Sequence, residues 1–206
     1  MLKILVILVF YFLPCTMFAQ QNAADSSQSK KWSFSAVGQY NLQPNAYTYI
    51  GYADHKALHL EARYNYEALK TGSAFAGWRF ETGKKFQFSA TPMLGLAFGN
   101  TNGFVPALEL AASLKIFDFY SESEYIIDFK SGENNFFYTS SELAVSPLHA
   151  LRTGIAIQRT HLYQTKLDTQ RGIFAEYSFW KLTAGMYYYN PFSSDNVVIA
   201  SLSIDF

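Results

Sequence analysis

The sequence predicts an all-β protein, an antiparallel up-and-down β-barrel that spans a membrane with twelve strands, or with ten if its first hairpin serves as a plug or tail. Three observations point there. Apolar and polar residues alternate with a period of two through most of the chain beyond residue 31, the spacing that sends successive side chains to opposite faces of a strand. The alternating runs are about 9–13 residues long, beyond the usual strand of about five or six and enough to cross a bilayer when tilted. Aromatic residues collect toward the ends of these runs, on the apolar parity.

Composition narrows the field before any element is placed. The 206 residues carry 16 basic and 16 acidic side chains, so no excess of positive charge points to a nucleic-acid partner. Half the chain is apolar, 18% is aromatic and 16% is charged, against roughly 25% charged in soluble domains. That is too apolar for a disordered chain, yet no uninterrupted apolar run after residue 20 is long enough for a spanning helix. The single cysteine, Cys15, excludes an intramolecular disulfide framework and any CxxC-type metal or redox site.

Met1–Leu2–Lys3 supplies a positive start, Ile4–Leu13 an apolar run, and Ala19–Gln20–Gln21 a small and polar exit. This is the order of a secretory signal peptide over residues 1–20, too short for an ordinary transmembrane helix. A lipoprotein reading of Cys15 fails because Phe12–Leu13–Pro14 offers no small residue beside it. Residues 21–31 read as a short polar segment and 32–206 as the barrel.

The strands follow in order, at 32–42, 46–54, 57–67, 73–82, 86–98, 104–116, 119–129, 136–146, 151–161, 170–179, 181–190 and 196–206. In 57–67, His59, Glu61, Arg63, Asn65 and Glu67 share one parity, and Leu58, Leu60, Ala62, Tyr64 and Tyr66 share the other. In 73–82, Gly77, Arg79 and Glu81 oppose Ala74, Ala76, Trp78 and Phe80. In 86–98, Gln87, Ser89 and Thr91 back onto Phe86, Phe88, Ala90, Leu94 and Leu96. The last strand sets Val198, Ala200, Leu202, Ile204 and Phe206 against Ser201, Ser203 and Asp205. Connections such as 43–45, 100–103, 130–135 and 191–195 have hairpin chemistry. Pro92 and Pro106 cannot donate to a ladder, so a bulge or local break is expected at each. No linker, repeat motif or second domain interrupts the series.

Alternation alone does not say which face points inward. A soluble sandwich buries the apolar face; a membrane barrel turns it to lipid and lines its lumen with the polar one. Trp78, Phe80, Phe86, Phe88, Phe98, Phe129, Phe137, Tyr177 and Phe179 flank smaller aliphatics as two interfacial girdles would. With the export signal and a terminal Phe206 on the apolar parity, the chain resembles bacterial outer-membrane β-barrel proteins, and in size the small twelve-stranded porins. The resemblance implies a Gram-negative outer membrane, outer-membrane lipids as surroundings, both termini in the periplasm, and Phe206 as part of the signal read by the barrel-assembly machinery. It also implies periplasmic turns at 116–118, 147–150 and 179–181, and extracellular loops at 130–135, 163–169 and 191–195.

With the polar parity inward, the lumen is lined by Glu61, Arg63, Arg79, Glu81, Glu109, Glu122, Glu124, Glu142, Arg152 and Glu176, together with Lys115. A register centred on the residue-70 turn predicts Glu61 opposite Arg79 and His59 opposite Glu81, as bracing cross-strand pairs. Glu122 and Glu124 share a face, and the adjoining strand is expected to bring Glu142 beside one of them. In a watery lumen these carboxylates are solvated or attract cations. Inward Phe75, Tyr120, Tyr138, Phe174, Tyr187 and Tyr189 are bulky enough to fill much of the space.

Catalytic chemistry finds no support. His55 and His149 fall in predicted periplasmic turns and His59 lies near that end, while His161 alone sits near the outer rim, without a nucleophile and third group beside it. The histidine spacing suggests no metal site, the carboxylates form no calcium loop, and no phosphate-loop pattern is present, so no cofactor is expected. The function that follows is a passive pore for small hydrophilic solutes with weak cation preference. Its alternatives are a closed structural or partner-binding barrel and an outer-membrane lipid-modifying enzyme.

Overall fold

The structure, a computed structural model, describes residues 31–42, 45–162 and 168–206. The predicted signal peptide and all but the last residue of the 21–31 segment lie outside the described residues. Strands run β1 (Ser33–Asn41), β2 (Ala46–His55), β3 (Leu58–Tyr64), β4 (Thr71–Trp78), β5 (Phe80–Thr82), β6 (Phe86–Gly99), β7 (Gly103–Leu114), β8 (Phe117–Asp128), β9 (Phe136–Leu148), β10 (Leu151–Leu162), β11 (Asp168–Phe179), β12 (Leu182–Tyr189) and β13 (Val197–Asp205). They form one antiparallel sheet in which β1 pairs with β13 and both β4 and β5 pair with β6, closing the wall. Since Gly77 faces Met93 and Phe80 faces Ala90, β4 and β5 keep a single register and are two pieces of one strand. The barrel therefore has twelve strand positions, and the first hairpin belongs to the wall: Ser33–Asn41 pairs residue for residue with Ala46–Asp54.

The two prolines interrupt the ladder locally, as expected. Pro92 stands at the register position of Trp78, where β4 gives way to β5, while its pairing with Leu108 on the other side persists. Pro106 keeps its pairing with Leu94, and the β7–β8 ladder lapses from Val105 to Pro106 before resuming at Ala107–Glu124 in the same register. A proline on one strand thus removes bonds toward one neighbour only. Among the described residues the one register shift in the wall is elsewhere, between Leu151 and Thr153 against β9.

Hairpins at the end of the barrel that holds Ser33 and Asp205 are tight. Lys56–Ala57, Lys115–Ile116 and Trp180–Lys181 are two-residue links between paired residues, each with its first residue at a φ of 56–57°. At the other end the links are longer, and one contains a single 3-10 turn, Gly132–Asn134, capped by Ser131. There the Asp128 carboxylate accepts the backbone N–H groups of Lys130 and Ser131.

Two sequence expectations need correction around β3. The strand ends at Tyr64, not at residue 67, because Asn65 turns to a φ of 59° and its N–H bonds the Thr71 carbonyl. That closure centres the hairpin earlier than residue 70, so Glu61 faces Phe75 and His59 faces Gly77, not Arg79 and Glu81. It also ends the alternation beyond the turn: Tyr66, expected on the outer face, points inward and donates to Glu122 Oε2 at 2.8 Å.

The wall is inverted relative to a water-soluble β protein. Leu94, Leu96, Leu143, Ile155, Met186 and Leu202 are exposed on the exterior, whereas Glu61, Arg63, Glu122 and Glu124 are 1–5% exposed in the interior. Exposed aromatics ring both ends, with Phe86, Phe117, Phe179 and Trp180 at the terminal end and Tyr49, Tyr64, Phe98 and Phe129 at the other. No helix among the described residues is long and apolar enough to cross a membrane; the exterior band is instead what strands present to lipid.

Candidate functional site

The interior divides along the barrel axis. The terminal half holds a cavity of about 1,000 Å³. It is lined by five carboxylates (Glu81, Asp118, Glu142, Glu176, Asp205) and one guanidinium, Arg152, with serines and threonines between them. Above it the interior is packed. Phe75, Met93, Ala97, Val105, Ile126 and Phe136 form one buried apolar cluster, and Phe174, Tyr187, Tyr189 and Ile199 with Ala144 and Ala156 form a second. Phe75 can occupy this space because residue 95, opposite it on β6, is glycine: a Cβ there would overlap the Phe75 ring.

Two ion clusters are built into this frame. Arg152 lies on the cavity wall and donates to Asp118 Oδ1 at 2.7 Å, Glu142 Oε2 at 2.8 Å and Glu176 Oε2 at 2.9 Å, while Tyr187 donates to Glu176 Oε1 at 2.6 Å. The register makes this possible, since Arg152 is paired directly with Glu176 across β10–β11. The expected grouping of Glu142 with Glu122 and Glu124 does not occur. On β9 the residues opposite those two are Ser140 and Tyr138, and Glu142 sits opposite Tyr120, one inward position further along.

The second cluster spans the interior around Arg63. Its guanidinium lies 2.5 Å from Glu61 Oε2 and 2.6 Å from Glu122 Oε1, and its Nη1 donates to Glu124 Oε2 at 3.2 Å. It also rests 4.3 Å from the Phe75 ring centroid and 4.6 Å from that of Tyr66. Glu67, beyond the end of β3, turns in toward the same group, 3.7 Å from Arg63 Nη1, and accepts from Ser73 Oγ. Next to it, His59 contacts Asp54 Oδ1 and Glu61 Oε1, each at 2.7 Å, and lies 3.8 Å from Glu109 Oε2. Arg79 reaches His59 Nδ1 at 3.0 Å and Asp54 at 3.1 Å. Glu109 and Glu122 are directly opposite across β7–β8.

These carboxylates are not solvated, contrary to the expectation for a watery lumen. Glu61, Glu122 and Glu124 have almost no exposed surface, and the Glu67 side chain has none. Such groups need hydrogen bonds and counter-charge, because unpaired burial is expensive. Of the residues expected in the lumen, the structure brings Glu61, Arg63, Glu109, Glu122 and Glu124 into one network and Glu142, Arg152 and Glu176 into another. Arg79 joins the first at its edge, and Glu81 lines the cavity. Sequence reasoning missed Asp54, Asp118, Glu67 and Tyr66. Asp54, Asp118 and Glu67 could have been found from parity on their strands; Tyr66 could not, because the turn at Asn65 resets its direction. The His161 side chain lies outside the described residues.

No protein-family model matches the sequence, and no curated protein matches it. Solved structures do match in fold. The chain is similar to the KdgM porin, with 12% identity and a TM-score of 0.58 over 84% of this chain and 99% of that one. It is also similar to the KdgM porin in complex with disordered oligogalacturonate, at 11% identity and a TM-score of 0.60 over the same shares. The NanC porin matches at 10% identity and a TM-score of 0.55 over 84% of this chain and 98% of that one. The fold is that of these bacterial porin barrels.

Proposed function

We propose that this barrel resides in the Gram-negative outer membrane with its terminal end toward the periplasm, and that it is a pore for small hydrophilic solutes that favours cations. The apolar exterior with two aromatic belts supports the membrane setting, and the fold shared with KdgM and NanC porins supports a conduit. The observation that carries the selectivity is the cavity, where five carboxylates face one guanidinium. A wall with that balance attracts cations and disfavours anions. Oligogalacturonate, the ligand in the KdgM complex, is a polymer of sugar carboxylates; this acidic cavity repels that charge, so neutral or basic solutes suit it better. Arg152 holds Asp118, Glu142 and Glu176 against the wall, and the Arg63 cluster with the apolar layers narrows the passage above it.

Planar-bilayer recording on the purified barrel tests this. Discrete conductance steps with a cation-selective reversal potential under a salt gradient are expected, and Glu142→Gln with Asp118→Asn is expected to reduce that selectivity. A second reading, a closed barrel that stabilises the envelope or binds a partner, is favoured by the interior above the cavity, where Val105 and Ile126 have no exposed surface. A silent bilayer containing folded protein selects that reading and discards the pore.

A further inference from the structure

We propose that His59, Glu61 and Glu109 bind one divalent transition-metal ion inside the barrel, an imidazole-and-two-carboxylate site of the kind suited to Zn²⁺. One ligand atom from each, His59 Nε2 and one oxygen of each carboxylate, can be chosen so that all lie within 4.8 Å of one another. His59 Nε2 is 2.7 Å from Glu61 Oε1 and 3.8 Å from Glu109 Oε2. Metal–ligand bonds of about 2.0–2.2 Å in a tetrahedral shell place ligand atoms about 3.3 Å apart. These two spacings bracket that value, and the third, between the two carboxylate oxygens, lies within 4.8 Å, so side-chain shifts without backbone movement bring the three atoms around one ion. The fourth position is left for water. Binding exchanges the Nε2 proton, which now bridges His59 and Glu61, for the metal.

The surroundings of the three ligands are arranged as supporting groups of a metal site are. Asp54 Oδ1 is 2.7 Å from His59 Nδ1, the pairing that fixes a metal-bound imidazole in one tautomer and orientation. The second oxygen of Glu61 accepts from Arg63, and Glu109 Oε1 accepts from the Tyr120 hydroxyl at 2.6 Å, leaving one oxygen of each turned to His59. Tyr120, which holds Glu109, lines the cavity, and the Glu109 side chain is 12% exposed where those of His59 and Glu61 are 3% and 0%.

An independent observation calls for positive charge here. Six carboxylates (Asp54, Glu61, Glu67, Glu109, Glu122, Glu124) surround the two guanidinium groups of Arg63 and Arg79 and one imidazole. Glu67 Oε2 and Glu124 Oε1 are buried without a hydrogen-bond partner. An excess of negative charge in a water-poor space is relieved by a dication more effectively than by the single charge of an imidazolium. The sequence did not suggest this site because Glu109 comes from the far side of the hairpin series, fifty residues from His59, with no local ligand spacing.

The test uses the folded barrel in detergent, stripped with a chelator and titrated with Zn²⁺ and with Co²⁺ as a spectroscopic probe. One equivalent per chain is expected, with a visible Co²⁺ absorption of low coordination number. His59→Gln and Glu109→Gln are expected to weaken binding by well over about 10-fold, and Asp54→Asn by about 10-fold, while His149→Ala leaves it intact. X-ray absorption at the metal edge of the unmutated protein, which needs no variant to fold, is expected to show one imidazole nitrogen among oxygen ligands. Absence of stoichiometric binding, binding undiminished in His59→Gln, or a metal shell without imidazole overturns the site. None of these outcomes depends on whether the barrel conducts.

Discussion

Arg63 is the residue on which the most interior charge converges. Its guanidinium faces Glu61, Glu122 and Glu124 at hydrogen-bonding range and lies against the rings of Phe75 and Tyr66. Replacing it by alanine leaves these carboxylates buried without their cation, which costs about 3–5 kcal/mol. Urea titration of Arg63→Ala in detergent, followed by β-sheet circular dichroism, is expected to show that loss. Adding Glu61→Gln and Glu122→Gln is expected to recover a substantial part, because neutral amides need no counter-charge. An unchanged midpoint in the single variant contradicts the geometry of this cluster. The residue scale is also where the sequence was least legible: that Arg63 and Glu61 share a face follows from parity, but that Glu124, sixty-one residues away, touches the same guanidinium does not.

At the scale of elements, strand identity and extent were legible because period-two alternation is a local property. Each of the twelve expected segments corresponds to a strand position, and the broken ladders at Pro92 and Pro106 fall where a missing N–H must place them. Register was not legible. The Asn65 turn closes the β3–β4 hairpin on geometry that no alternation pattern encodes, and it moves every partner of β3 on β4. The interlock of Phe75 over Gly95 is another product of register. Gly95→Val is expected to destabilise the barrel by about 1–3 kcal/mol through overpacking against that ring, read from the same titration, and Phe75→Leu in the same chain is expected to return part of it.

For the whole molecule, the decisive property is the inversion of its faces. An arginine at Leu94, near the middle of the outward-facing stretch of β6 between Phe88 and Phe98, is expected to cost about 2–4 kcal/mol in a bilayer. An arginine at Ser203, which borders the acidic cavity, is expected to leave stability near the unmutated value and to lower cation preference in bilayer recordings. Equal effects at the two positions contradict a lipid-facing exterior. The same inversion explains why the interior carries its charge as clusters: around Arg63 the interior excludes water, so each ion there must be answered by another side chain.

The sequence by itself determined that the chain alternates, how long its strands are, which residues share a face, and that the apolar face carries aromatic ends. These are one-strand properties, fixed by the geometry of an extended backbone. Only the tertiary structure decided which carboxylate meets which guanidinium, that Glu142 belongs with Arg152 and not with Glu122, and that His59, Glu61 and Glu109 converge. Barrel closure and hairpin register bring those groups together across the interior, and contacts between distant strands leave no periodic trace in the chain that makes them.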